Sequence, residues 1–118
     1  MADWTLFHNP RCSKSRGAKE LLDERAVEYD VVEYLDSPPS RDTLARLVGL
    51  VGGTPSDLVR TGDSKFTEAG LSLAEDASAS EVVELLVAHP EVMQRPVIVR
   101  GDRAVIGRPP ENLLSLLD

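Results

Sequence analysis

Cysteine is nearly missing from this chain: Cys12 is the only one in 118 residues. A single thiol excludes an internal disulfide framework and a cysteine-rich zinc site. Long apolar runs are missing too, and none approaches the length that spans a bilayer. The opening Met1-Ala2-Asp3-Trp4 has no basic stretch leading into an apolar one, so no signal peptide is expected. Basic residues are the minority: 13 Lys+Arg against 20 Asp+Glu leave a net charge of −7. A field of that sign repels nucleic acid and anionic lipid, so neither nucleic acid nor membrane is expected as a partner. There is no internal repeat, low-complexity tract or long linker. What is there suits one folded domain over residues 1–118, with 42% apolar and 28% charged residues. A reducing, cytoplasmic setting is the default expectation.

Local patterns supply the elements. Trp4-Thr5-Leu6-Phe7-His8, closed by Asn9-Pro10, reads as a buried strand. Residues 12–25 put Ala18, Leu21 and Leu22 on one helical face and Lys19, Glu20, Asp23 and Glu24 on the other. Residues 29–34, with Val31-Val32, read as a second strand, which should run parallel to the first. After Pro38-Pro39, Ser40 caps a helix with Leu44, Leu47, Val48 and Val51 on its apolar face, closed by Gly52-Gly53. Thr54-Pro55-Ser56-Asp57 predicts a capped short helix ending near Arg60. Residues 61–76 read as irregular, with one helical turn at 67–70. Ser78 and Glu81 have capping-box spacing and open a helix that Pro90 ends. Pro96 to Arg100 and Arg103 to Gly107 read as a hairpin turning at Gly101-Asp102, and Pro109-Pro110-Glu111 opens a last short helix. The order is β-α-β, a helical block, then β-β-α. Without the block, at about 38–93, this is the thioredoxin-like order: an α/β fold whose four-stranded mixed sheet is flanked by helices. The block is then a helical insertion between the two parts.

Chemistry concentrates at Cys12. It sits where the first strand meets the first helix, and helix-start N–H groups favour a thiolate. Arg11, Lys14 and Arg16 add positive charge locally. A free cysteine is otherwise a small buried hydrophobe, but a strand-to-helix turn favours the reactive reading. Ser15, one turn on, could hydrogen-bond a thiolate or simply cap the helix. His8 could stabilise the thiolate as a cation or hold a local hydrogen bond. Arg60, Arg95 and Arg108 each sit at an element boundary, and a guanidinium fork suits an oxyanion. Solvated surface is the alternative for each. The spacing also excludes rivals. A phosphatase-type loop needs an arginine six residues after the cysteine, where this chain has Ala18. A dithiol needs a second cysteine at the Ser15 position. A lone activated thiol must therefore be regenerated by an outside thiol.

The string His8-Asn9-Pro10-Arg11-Cys12-Ser13-Lys14-Ser15-Arg16 resembles the active-site segment of the glutaredoxin-coupled arsenate reductases. So do Tyr34-Leu35-Asp36-Ser37-Pro38-Pro39-Ser40-Arg41, Leu58-Val59-Arg60, His89-Pro90, Arg95-Pro96-Val97-Ile98-Val99 and Gly107-Arg108-Pro109, in that order. The resemblance implies a thioredoxin-like fold in which Cys12 attacks arsenate. It implies that His8 lowers the pKa of Cys12 and that Ser15 hydrogen-bonds the thiolate. Arg60, Arg95 and Arg108 would bind the oxyanion and the adduct, and Pro96 would be cis beside the thiol. The resemblance implies no bound cofactor or metal. Glutathione, or another low-molecular-weight thiol, and glutaredoxin would be the external reductants, and arsenite would leave.

Two other readings of the fold stand beside this one. A Spx-type regulator that binds RNA polymerase shares it, but such proteins usually carry the dithiol switch that Ser15 removes, and they need no converging arginines. The other is a protein of the same fold that binds a different oxyanion or thiol.

Overall fold

The run Trp4-Thr5-Leu6-Phe7-His8 forms β1 (Trp4–His8), buried at every position except the half-buried Thr5. Such a continuous apolar run belongs inside a sheet covered on both faces. In this computed structural model, which describes residues 3–117, β1 is indeed internal. Met1 and Ala2, on which part of the signal-peptide expectation rests, lie outside the described residues. β2 (Tyr29–Glu33) pairs with β1 in parallel, Leu6 opposite Val31. β3 (Val97–Arg100) pairs with the other side of β1 antiparallel, Leu6 opposite Ile98, and β4 (Arg103–Ile106) returns antiparallel to β3. The strand order is β2-β1-β3-β4. Because β1 and β3 are antiparallel, the carboxyl end of β1 adjoins the beginning of β3, Phe7 facing Val97. That register brings the segment after β1 beside the residues that precede β3.

The chain divides into two compact units, one made of residues up to Ser37 together with those from Arg95, the other Pro38–Gln94. In the first unit, α1 (Ser13–Glu24) buries Ala18 and Leu22 against Trp4, Leu6, Ile98, Leu113 and Leu116. Gly101, at φ +59°, makes the β3–β4 turn in the backbone region where glycine avoids the Cβ clash. The final apolar stretch, expected as a short helix, is a 3₁₀ segment, Pro110–Leu116. Three residues per turn align Leu113 with Leu116, and both are buried in the sheet-side core.

In the second unit, α2 (Arg41–Val51) begins at Ser40, whose side chain accepts from Thr43 N. The irregular stretch contains α3 (Ser64–Glu68), three residues earlier than the expected turn at 67–70. Asp63 decides this start, since its side chain accepts from Lys65 N. α4 (Ala79–Ala88) carries the expected capping box of Ser78 and Glu81. The predicted short helix after Thr54 is instead a 3₁₀ turn, Pro55–Leu58, and the Thr54 side chain makes no capping bond. A second 3₁₀ turn, Pro90–Val92, and a bridge pairing Val59 with Met93 were not visible in the local pattern. α2 and α4 pack together, burying Leu44, Leu47, Val82 and Leu86. No helix among the described residues is long and apolar enough to cross a membrane.

Candidate active site

Asn9-Pro10 ends β1 and throws the chain into a tight turn closed by Cys12 N donating to Asn9 O at 3.0 Å. The Asn9 side chain braces the same turn, its Oδ1 accepting from Arg11 N at 3.0 Å. Cys12 is thereby placed as the N-cap of α1, with extended backbone angles and half-buried. Its sulfur stands where the first N–H groups of the helix have no intrahelical acceptor. Burial alone pushes the thiol's pKa up. The backbone N–H groups of Ser15 and Lys14 and the side chains of Arg95 and Arg108 outweigh it, and the pKa falls below the ordinary thiol value. Arg108 Nη1 lies 3.7 Å from Cys12 Sγ and also donates to Arg95 O at 3.2 Å.

His8 and Ser15 form a separate buried pair. His8 Nδ1 and Ser15 Oγ are 2.6 Å apart, and Asn9 N donates to the same oxygen at 3.0 Å. Burial lowers the His8 pKa, Lys19 and Arg16 add to the effect, and Glu33 opposes it. The ring is therefore neutral near pH 7 and acts as a hydrogen-bonding group rather than a cation. It is the backbone N–H of Ser15 that lowers the Cys12 pKa, while the hydroxyl is occupied by His8 and Asn9.

Arg95 and Arg108 both precede proline, and both bonds, Arg95–Pro96 and Arg108–Pro109, are cis. Gly107 keeps this region compact. A Cβ there would lie 2.8 Å from both Pro96 Cγ and Ile98 Cδ1. Its N–H donates to Pro96 O at 2.8 Å. Arg60 belongs to the second unit, where Nε faces Asp63 Oδ2 at 3.8 Å and its own N–H donates to Val92 O. A cavity of about 240 Å³ opens at the carboxyl ends of β1 and β2, between Asn9 and Arg11 on one wall and Glu33 and Asp36 on the other. No group of three or more metal-ligating side chains occurs among the described residues. Two residues at this end of the sheet escaped the sequence reading: Asn9, which organises the turn, and Tyr34, completely buried beyond β2. Both fall within the strings quoted above, but neither carries a charge or a nucleophile that would single it out.

A parallel βα unit with a thiol at its helix start, cis prolines and converging guanidiniums defines the thioredoxin-like class of thiol proteins. The profile of the ArsC family matches residues 7–116, and the chain belongs to that family. It is 36% identical to an arsenate reductase of Neisseria meningitidis serogroup A, covering 99% of this chain and 100% of that protein. It is 39% identical to the uncharacterized protein YfgD of Escherichia coli K12, covering 95% and 94%. The solved structure of an arsenate reductase from Vibrio cholerae superposes with a TM-score of 0.86 at 30% identity, covering 97% of both chains.

Proposed function

We propose that the protein is an arsenate reductase-like oxidoreductase that works through a covalent adduct on Cys12. The observation that carries this is a thiol held at a helix start with a guanidinium 3.7 Å from its sulfur and its pKa lowered. The thiolate sulfur attacks arsenic(V), an arsenate oxygen leaves as water, and a sulfur–arsenic bond forms. Arg95 and Arg108 bind the remaining oxygens, and Arg60 is the third arginine by family resemblance. Two electrons then reduce arsenic(V) to arsenic(III). They come from two outside thiols, which end joined as a disulfide, and arsenite leaves as the Cys12 thiolate is released. Glutathione and glutaredoxin are the thiols we assign to this role. The chain's single cysteine supports an outside supply, since it has no second thiol to resolve the adduct. His8 and Ser15 hold the turn in place, and Pro96 brings its backbone beside the thiol. We read the chain as one thioredoxin-like domain with a helical insertion at about 38–93, a reading supported by the second compact unit, Pro38–Gln94, having nearly those bounds.

The test is a coupled assay containing arsenate, glutathione and glutaredoxin. Cys12→Ser should abolish turnover, and Arg95→Ala should weaken it strongly. Full activity in Cys12→Ser would end this mechanism. Replacing glutaredoxin by another thiol reductant in the same assay identifies the donor.

A further inference from the structure

We propose that the cavity beside the Cys12 turn is a subsite for the α-amino acid headgroup of glutathione, its carboxylate held by Arg11 and His8 and its ammonium by Glu33 and Asp36. This rests on the site proposed above and adds to it the place where the reducing thiol docks. The cavity holds about 240 Å³. That is less than the roughly 300–1,000 Å³ of a site enclosing a whole small molecule, so it suits one end of a ligand. It stands at the carboxyl ends of β1 and β2, where His8 is paired with Glu33 in the parallel register. Arg11 borders it on the side of the Cys12 turn, Glu33 and Asp36 on the other. All three are exposed, and none makes a side-chain hydrogen bond or ion pair among the described residues.

Charges of opposite sign thus border the cavity on different walls without pairing. A ligand that carries both signs a few atoms apart complements both walls, whereas a simple anion meets two carboxylates and a simple cation meets an arginine. His8 adds a directed donor, lining the cavity at 5% exposure. Ser15 Oγ accepts from Asn9 N, so its own proton goes to His8 Nδ1, 2.6 Å away. The proton of the neutral ring is then on Nε2, which has no hydrogen-bond partner among the described residues. A carboxylate oxygen is the acceptor that this N–H and Arg11 can share. Leu35, which also lines the cavity and is 43% exposed, offers apolar cover for a short methylene stem. Ammonium, carboxylate and such a stem together are the γ-glutamyl end of glutathione. Arg11 and Cys12 are neighbours, their Cα atoms about 3.8 Å apart across a trans peptide. The glutathione thiol lies roughly 7 Å from the headgroup, about two residues of extended chain, so a headgroup seated here leaves the thiol within range of an adduct on Cys12.

The experiment titrates S-methylglutathione, which cannot exchange with Cys12, into the protein and follows the heat of binding. Wild type should bind it saturably. Arg11→Ala and the double variant Glu33→Gln/Asp36→Asn should each raise Kd roughly three- to tenfold, as for charge-assisted contacts at a partly exposed site. Two truncated ligands fix the orientation. The S-methylated glutaryl-Cys-Gly analogue lacks the ammonium, and its Kd should not respond to Glu33→Gln/Asp36→Asn. The S-methylated 4-aminobutyryl-Cys-Gly analogue lacks the α-carboxylate, and its Kd should not respond to Arg11→Ala. No binding to wild type would overturn the proposal, as would a Kd that neither variant moves. So would an Arg11→Ala effect that survives loss of the α-carboxylate, since the glycine end would then be the one held. Free L-glutamate binding as tightly as the tripeptide would overturn the assignment to glutathione. A variant that weakened every ligand alike would do the same, as a sign of damage to the fold rather than of a lost contact. None of these titrations needs arsenate, so the subsite is read even if the wild-type protein proves inactive on arsenate, an outcome that would sink only the reading above.

Discussion

Cys12 Sγ and Arg108 Nη1 lie 3.7 Å apart across 96 residues of chain. The contact joins the start of α1 to the residue that follows β4 by way of Gly107, and it places a permanent cation beside the only thiol. Removing that cation should make the thiolate harder to form. We expect Arg108→Ala to raise the pH midpoint of Cys12 alkylation. The midpoint should stay below an ordinary thiol's, because the Lys14 and Ser15 backbone N–H groups and Arg95 still act. Measuring the alkylation rate against pH in both proteins checks this, and identical midpoints would show that Arg108 contributes nothing.

The His8 ring gives the protein a pH-dependent stability of definite sign. Its folded pKa is lowered from 6.5, so below that pH the unfolded chain binds the proton more readily than the folded one. The neutral ring's contribution is complete above about pH 6.5 and is lost as the pH falls through the depressed folded value. Denaturant midpoints of wild type and His8→Gln should therefore converge as the pH drops from neutral toward 5. A gap that widens in acid would mean that the charged ring is the favoured form.

Ser15 is completely buried, and its Oγ serves both His8 Nδ1 and Asn9 N. Ser15→Ala strands both groups. The expected loss of stability is about 1–3 kcal/mol, the ordinary penalty for leaving a buried polar group unmatched. Urea unfolding measures it. If Ser15→Ala is as stable as wild type, the turn is not held by this oxygen.

Gly107→Ala should be destabilising by about 1–3 kcal/mol, because the new methyl meets atoms at 2.8 Å on two sides. The Ile98 tip can turn away, but the Pro96 ring is rigid. The shift should also displace Arg108, so the alkylation midpoint of Cys12 should rise together with the fall in melting temperature. A stable variant with an unmoved midpoint would show that the backbone gives way without disturbing the site.

Ser78→Ala removes the N-cap of α4 at a position distant in sequence from Cys12. The helix should lose about 1 kcal/mol with the cap. The alkylation midpoint should not change, which makes this variant a control for stability effects in the others.

Much of the first unit was written locally. The apolar run of β1, the breaker Asn9-Pro10 and the amphipathic face of α1 set the strand, the turn and the helix, and with them Cys12 at the helix start. Ser40 and the Ser78–Glu81 pair marked their helices because a cap acts within one turn of itself. The same locality explains the misses. Asp63 outcompeted the expected turn at 67–70, and the proline-led segments at Pro55–Leu58 and Pro110–Leu116 tightened to 3₁₀ form where an α-helix was expected.

The amino-acid order by itself determined that one thiol exists, that it caps a helix and that no internal cysteine can resolve its adduct. Which side chains surround that thiol was decided only by the tertiary structure. Arg95 and Arg108 reach it because β1 and β3 pair antiparallel, and that register follows from which faces of distant strands are buried together. The neutral state of His8 and the enclosed hydroxyl of Tyr34 are likewise products of burial, a property no short stretch of chain possesses before it folds.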